Sequence, residues 1–152
     1  MITSILNSLP LHQWLAMNGF DPANLDLRGS NGDTALMKAT QSEEIDIVRS
    51  LIAAGANVNA RNHDGNNALW FACFRDRLDL IQLFLAAAID LNNQNDNGAT
   101  ALMYSASAGK TAIVQTLLAA GADPQLKNLD DFQAIDFAAN REILGILKHG
   151  GV

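Results

Sequence analysis

A stretch of 33 residues recurs three times in phase. Gly32 opens the first copy, Gly65 the second and Gly98 the third, so the copies span 32–64, 65–97 and 98–130. A fixed period in this range signals stacked supersecondary units, each too small to bury its apolar face alone. The flanking segments read as worn copies. Leu25–Gly32 aligns with Val58–Gly65 at the same offset. Residues 1–31 therefore form an N-terminal cap and 131–152 a C-terminal cap of one domain covering 1–152. In the first cap the reading is two short helices, Thr3–Leu9 and Leu11–Asn18, divided by Pro10. The stretch after Gly19 is about three residues longer than in the full copies, with a turn at Asp21-Pro22.

Each full copy divides into two helices and a connector. Thr34 and Thr100 stand where a hydroxyl caps a helix, and Asn67 is expected to do the same in the second copy. Short helices follow at Ala35–Gln41, Ala68–Phe74 and Ala101–Ser107. The second helix carries apolar residues at helical spacing: Ile45, Val48, Leu51 and Ile52; then Leu80, Leu83 and Phe84; then Ile113, Leu117 and Leu118. Gly55 and Gly121 stop it at a position that wants positive φ. Ala88 takes that place in the second copy, so a less defined helix end is expected there. The connectors are extended, as Pro124 suits, and close in polar turns at Asp64-Gly65 and Asn97-Gly98. The last unit keeps a helix pair with a link about three residues shorter.

These motifs carry a resemblance. The run G-x-T-A-L-M-x-A, followed by I-V-x-x-L-L-A-A-G-A-D/N-x-N, resembles the ankyrin repeat, with T-A-L-M or N-A-L-W in place of the usual T-P-L-H opening. The likeness runs strongly over about 20–150 and by position over 1–19. It implies an all-α repeat solenoid of about five units, two of them degenerate caps. Helix pairs would form the body and β-hairpin loops would project from it, with binding on the concave side.

Composition narrows the function. The chain has a net charge of −6 and a pI of about 4.8, which argues against a phosphate-backbone partner. Cys73 is the one cysteine, so no internal disulfide forms. The N-terminal residues lack a basic region and a long apolar run, and nothing approaches a membrane span of roughly 18 apolar residues. The expectation is a cytoplasmic protein, monomeric when free, with no cofactor, no metal, no nucleic-acid partner and no membrane partner.

Two chemical motifs are set aside. Gly109-Lys110-Thr111 matches the close of a phosphate loop, but Tyr104 replaces the opening glycine and no strand precedes it. A small nucleotide- or ligand-binding protein using that loop is the alternative reading. Asn93–Gly98 resembles the start of a calcium loop, but Tyr104 falls where the bidentate Glu belongs. His12, His63 and His149 have no metal spacing, and Cys73 reads as a small buried thiol. An enzyme is not expected.

Comparing copies separates scaffold from face. Leu36/Leu69/Leu102, Val48/Ile81/Val114 and Leu51/Phe84/Leu117 agree and read as scaffold, and Trp70 joins them because its counterparts are Met37 and Met103. Arg61, Asn66, Phe71, Phe74, Tyr104 and Phe132 occupy positions that vary. Phe71 and Tyr104 are equivalent positions of adjacent units and are expected to be neighbours, with Phe74 and Arg75 close by. Aromatics and Arg are the types enriched in interface hot spots. At the fingertips, Asp33, Asp64, Asp96 and Asp130 read as one carboxylate per unit, with His63 beside them. They either meet a basic partner or bond their own backbone as Asx turns. The expected function is a non-catalytic module that binds a partner protein and acts as adaptor, inhibitor or assembly factor. The partner-binding residues are Phe71, Phe74, Arg75, Tyr104, Arg61, His63, Asp64, Asn66, Asp96 and Phe132.

Overall fold

The computed structural model describes residues 10–149. Within them the chain forms α1 (Leu11–Met17), α2 (Ala35–Gln41), α3 (Ile45–Ala53), α4 (Ala68–Phe74), α5 (Leu78–Ala86), α6 (Ala101–Ser107), α7 (Thr111–Ala119) and α8 (Arg141–Lys148). Short and longer helices alternate, α2/α3, α4/α5 and α6/α7, one pair per 33-residue unit. The helix expected at Thr3–Leu9 lies outside the described residues.

One core runs through the stack. Leu36, Leu69 and Leu102 are buried in register, as are Val48, Ile81 and Val114, and Leu51, Phe84 and Leu117. Ala35, Ala68 and Ala101 line the short helices, where a methyl group lets neighbours approach closely. Each fully buried large side chain contributes about 1.5–3 kcal/mol. Cys73 belongs to this core. Burial pushes its thiol up to about 12, far from a reactive thiolate. At the N-terminal end Trp14 is buried, stacks on Phe20 at 6.2 Å and donates from its indole N–H to Glu44 Oε2 at 2.8 Å.

Thr34 and Thr100 cap α2 and α6, accepting from Met37 N at 3.4 Å and Met103 N at 3.1 Å. Asn67 departs from expectation. It makes no cap bond to α4, and its side-chain amide donates instead to Asp90 O at 3.1 Å. The longer amide reaches the following connector, where a hydroxyl would stop at its own helix. Ala88 also departs. It adopts φ 59°, the left-handed conformation of Gly55 at 93° and Gly121 at 103°. The same bonds close the helix end, Ala88 N to Leu85 O and Ile89 N to Phe84 O, both 3.1 Å. The second unit therefore ends its helix as sharply as the others, at the strain of a Cβ in left-handed backbone.

The connectors contain no strand among the described residues; the fingers are hydrogen-bonded turns. Asn62, Asn95 and Asn128 organise them. Each backbone N–H donates to the carbonyl four residues on, and each side-chain oxygen accepts from two amides within the turn. Successive fingers are joined by His63 N to Asn31 O (2.9 Å), Asp96 N to Asp64 O (3.0 Å) and Leu129 N to Asn97 O (3.1 Å). The anchor glycines sit at this seam. Gly98 has φ 75°, and a Cβ there would lie 2.8 Å from Leu129 N and 2.9 Å from Asn128 Cα. The 33-residue glycine period thus records where one finger stacks on the next.

The last unit differs from the expected helix pair. Its first element is a 3-10 turn, Ala134–Phe137, capped reciprocally by Gln133 and Asp136. The shortened link leaves no residues for a second helical turn before Asn140 caps α8 by accepting from Ile143 N at 2.9 Å.

Candidate protein-binding surface

The short helices carry an aromatic cluster on the face they share. Tyr104 of α6 lies against two rings of α4, Trp70 at 5.0 Å and Phe74 at 6.1 Å between centroids. The expected pairing was Phe71 with Tyr104. Trp70 and Phe74 are four residues apart and so share one helix face, while Phe71 is turned about 100° from Trp70. That face meets the next unit. Phe71, half-buried, instead lines a cavity of about 240 Å³ with Gln41, Trp70, Phe74 and Arg75, on the side of the preceding unit. Trp70 is therefore part of the cluster as well as of the scaffold. The aromatic spacing at 70 and 74 was the available signal.

Two cations border the cluster with different commitments. Arg75 is exposed, its guanidinium 5.8 Å from the Phe74 ring centroid. Lys110 is held from four sides. Its ammonium donates to Cys73 O at 2.8 Å and Phe74 O at 3.0 Å, pairs with Asp76 at 3.0 Å and stands 5.2 Å from the Tyr104 ring centroid. Burial pulls its pKa down, but Asp76 and Tyr104 outweigh that and hold it above the ordinary lysine value. Lys110 thus secures the C-terminal end of α4, where exposed carbonyls favour a cation. Gly109 takes the left-handed turn that Glu43 and Asp76 take in the other units, and Thr111 opens α7. The Gly109-Lys110-Thr111 sequence is the inter-helix turn of a repeat, and its ammonium is already engaged.

The fingers sort differently from the sequence reading. Arg61 donates to Gly65 O at 3.0 Å and to Gln94 O at 2.9 Å in the next finger. Gln94 repeats the pattern toward Gly98 O and Lys127 O, and Arg28 toward Gly32 O and Arg61 O. This position ties adjacent units together. Asn66 is buried, and its side-chain oxygen accepts from Asn95 at 3.0 Å, so it presents little surface. The carboxylates do not form a row. The 33-residue offset places Asp64 and Asp130 together with Asn31 and Asn97, and sets Asp96 with His63 and Asp33 with Asn66. Asp33 accepts from Asn62 and Gln41, both at 2.9 Å, and Asp64 accepts from Asn31 at 2.8 Å. The finger Asx turns are made by the asparagines, not by Asp64 or Asp96. His63, Asp64 and Asp96 remain exposed, and Phe132 is 48% exposed, edge-on to Phe137 at 6.0 Å.

One further groove offers little chemistry. A groove of about 400 Å³ between α3 and α5 is lined by Arg49, Ile52, Ala53, Leu83, Ala86 and Ala87, with few polar groups to orient a ligand. Among the described residues no group of His, Cys, Asp and Glu is placed to hold a metal, and no helix is long and apolar enough to cross a membrane.

The fold as a whole has its counterpart in known proteins. No curated protein sequence matches the chain. The structure is similar to the crystal structure of the ankyrin repeat domain of Bcl-3, described as a unique member of the IkappaB protein family. The TM-score is 0.79 at 30% identity, over 87% of this chain and 59% of that one. The chain thus spans somewhat more than half the length of that domain. The family model for ankyrin repeats (3 copies) matches over residues 1–95, 54–128 and 75–150. With the family model matching over nearly the whole chain and the structure alike in fold, the chain belongs to the ankyrin-repeat family.

Proposed function

We propose that the chain is a non-catalytic protein-interaction module. It holds a partner through the surface formed by its short helices and finger turns, and serves in the cytoplasm as an adaptor, inhibitor or assembly factor. One observation carries this reading. Phe74 is 54% exposed, although it sits in a helix whose neighbours Ala72 and Cys73 are fully buried, and it is flanked by Trp70, Phe71, Tyr104 and Arg75. A cluster of half-buried aromatics with one ring and an adjacent Arg open to water is the composition of an interface centre. His63, Asp64, Asp96 and Phe132 would form its margin. Arg61 and Asn66 would act by keeping the fingers in register.

The test is affinity capture from the native lysate with the wild-type chain and with the Phe74→Ala, Tyr104→Ala double variant. Far-UV circular dichroism checks that the fold is retained. Loss of a captured protein with helicity intact supports the reading. Unchanged capture by a folded double variant overturns the role of the cluster.

A further inference from the structure

The cavity beside Phe71 has properties that identify what it would receive. Its walls are three aromatic rings, Trp70, Phe71 and Phe74, and its polar groups are Gln41 and Arg75. At about 240 Å³ it falls below the roughly 300–1,000 Å³ of small-molecule sites. That is room for one large side chain offered by a partner.

The charges nearby decide which neighbours that side chain has. Of the chain's ten Lys and Arg residues, Arg49, Arg61, Arg77, Lys110 and Lys127 stand in ion pairs, and Arg28 is engaged by finger carbonyls. Arg141 and Lys148 lie on the terminal helix α8. The remaining two are Lys38 and Arg75, both exposed and, among the described residues, neither in an ion pair. Arg75 lines the cavity itself. Lys38 occupies in α2 the register position that Phe71 holds in α4, three residues before Gln41 of the cavity wall. A protein of net charge −6 thus leaves one open cation, Arg75, in the cavity wall and a second, Lys38, on the helix that supplies Gln41. Complementary charge at such a site selects the partner more than it adds raw affinity.

We infer that this cavity receives an aromatic or branched apolar side chain of a partner segment that carries Asp or Glu beside it. The side chain enters between Phe71 and Phe74, and the neighbouring carboxylate meets Arg75 and, in an extended segment, Lys38. This rests on the interaction reading above and specifies the chemistry of the partner.

Random-peptide display on the immobilised full chain tests it. The enriched peptides are expected to place Asp or Glu next to Phe, Tyr, Trp, Leu or Ile. Their affinity is expected to fall about two- to fivefold with Arg75→Glu and again with Lys38→Glu, as for partly exposed charge pairs. Raising ionic strength from about 0.05 to about 0.3 M should weaken binding. Arg49→Glu, which makes the same change of net charge on the long-helix side, should leave affinity unchanged. Enrichment of basic or neutral peptides, no enrichment, or binding indifferent to Arg75→Glu would overturn the inference. Lysate capture lost in the Phe74→Ala, Tyr104→Ala variant would still support the broader function, so the two failures are separable.

Discussion

Gly98 and Gly121 both adopt positive φ, 75° and 103°, yet alanine at the two sites should have very different consequences. A Cβ at Gly121 meets nothing within 4 Å. Gly121→Ala then carries only the left-handed backbone term, about 1–2 kcal/mol, less a gain of about 0.4–1 kcal/mol from a stiffer unfolded chain. The net cost is about 1 kcal/mol. At Gly98 the same Cβ lies 2.8 Å from Leu129 N, 2.9 Å from Asn128 Cα and 3.1 Å from Asn128 C. These are backbone atoms and cannot rotate away. The last finger would have to shift, adding about 1–3 kcal/mol for overpacking. It would also lose the Leu129 N to Asn97 O bond of 3.1 Å, about 0.5–1.5 kcal/mol. Gly98→Ala should therefore cost about 3 kcal/mol or more. Urea unfolding of both variants, followed by circular dichroism with the slope checked against wild type, measures the difference. Equal losses in the two variants would refute the claim that the glycine period marks close approach between fingers.

Other predictions follow from single contacts. Lys110→Met keeps the aliphatic stem but removes two charge-assisted bonds at the end of α4, for an expected loss of about 2 kcal/mol. Asp76 adds little because it is largely exposed. The folded pKa of Lys110 is raised, so its stabilisation is complete below its ordinary value of 10.5 and is lost as pH climbs through the higher folded value. A pH series of melting temperatures for wild type and Lys110→Met should converge only at strongly alkaline pH. Millimolar nucleoside triphosphate should leave the melting temperature of the wild-type chain unchanged, since this ammonium is engaged within the fold. Ala88→Gly should raise stability by about 0.5–1 kcal/mol in urea unfolding, because it removes a Cβ from left-handed backbone. The Cys73 thiol, pushed up to about 12 by burial, should resist a thiol reagent at pH 8 in the native protein and react once the chain is unfolded.

Much of this molecule is legible in its sequence because its contacts repeat. A helix cap such as Thr34, an apolar stripe such as Val48, Leu51 and Ile52, and a turn glycine such as Gly65 are local signals. Recurring every 33 residues, they fix both the unit and its stacking partner. Cys73 could be placed in the core from its neighbours in register alone. Residues whose role depends on reaching a distant connector or finger were not legible in this way. Asn67 looks like a cap until its amide is seen to reach the Asp90 carbonyl, and Arg61 looks like a free surface cation until its nitrogens are seen to join two fingers.

The sequence by itself determined the repeat, its register, the buried scaffold and the presence of aromatics at 70, 71, 74 and 104. Periodicity carries that information through local backbone preference and burial. Only the tertiary structure decided that Trp70 and Phe74, not Phe71, embrace Tyr104, that Lys110 is spent on the end of α4, and that Arg75 is left open beside a cavity. The physical reason is rotation. One residue along a helix turns a side chain by about 100°, so neighbours in sequence face different units. Which ring or cation remains for a partner depends on how those units pack.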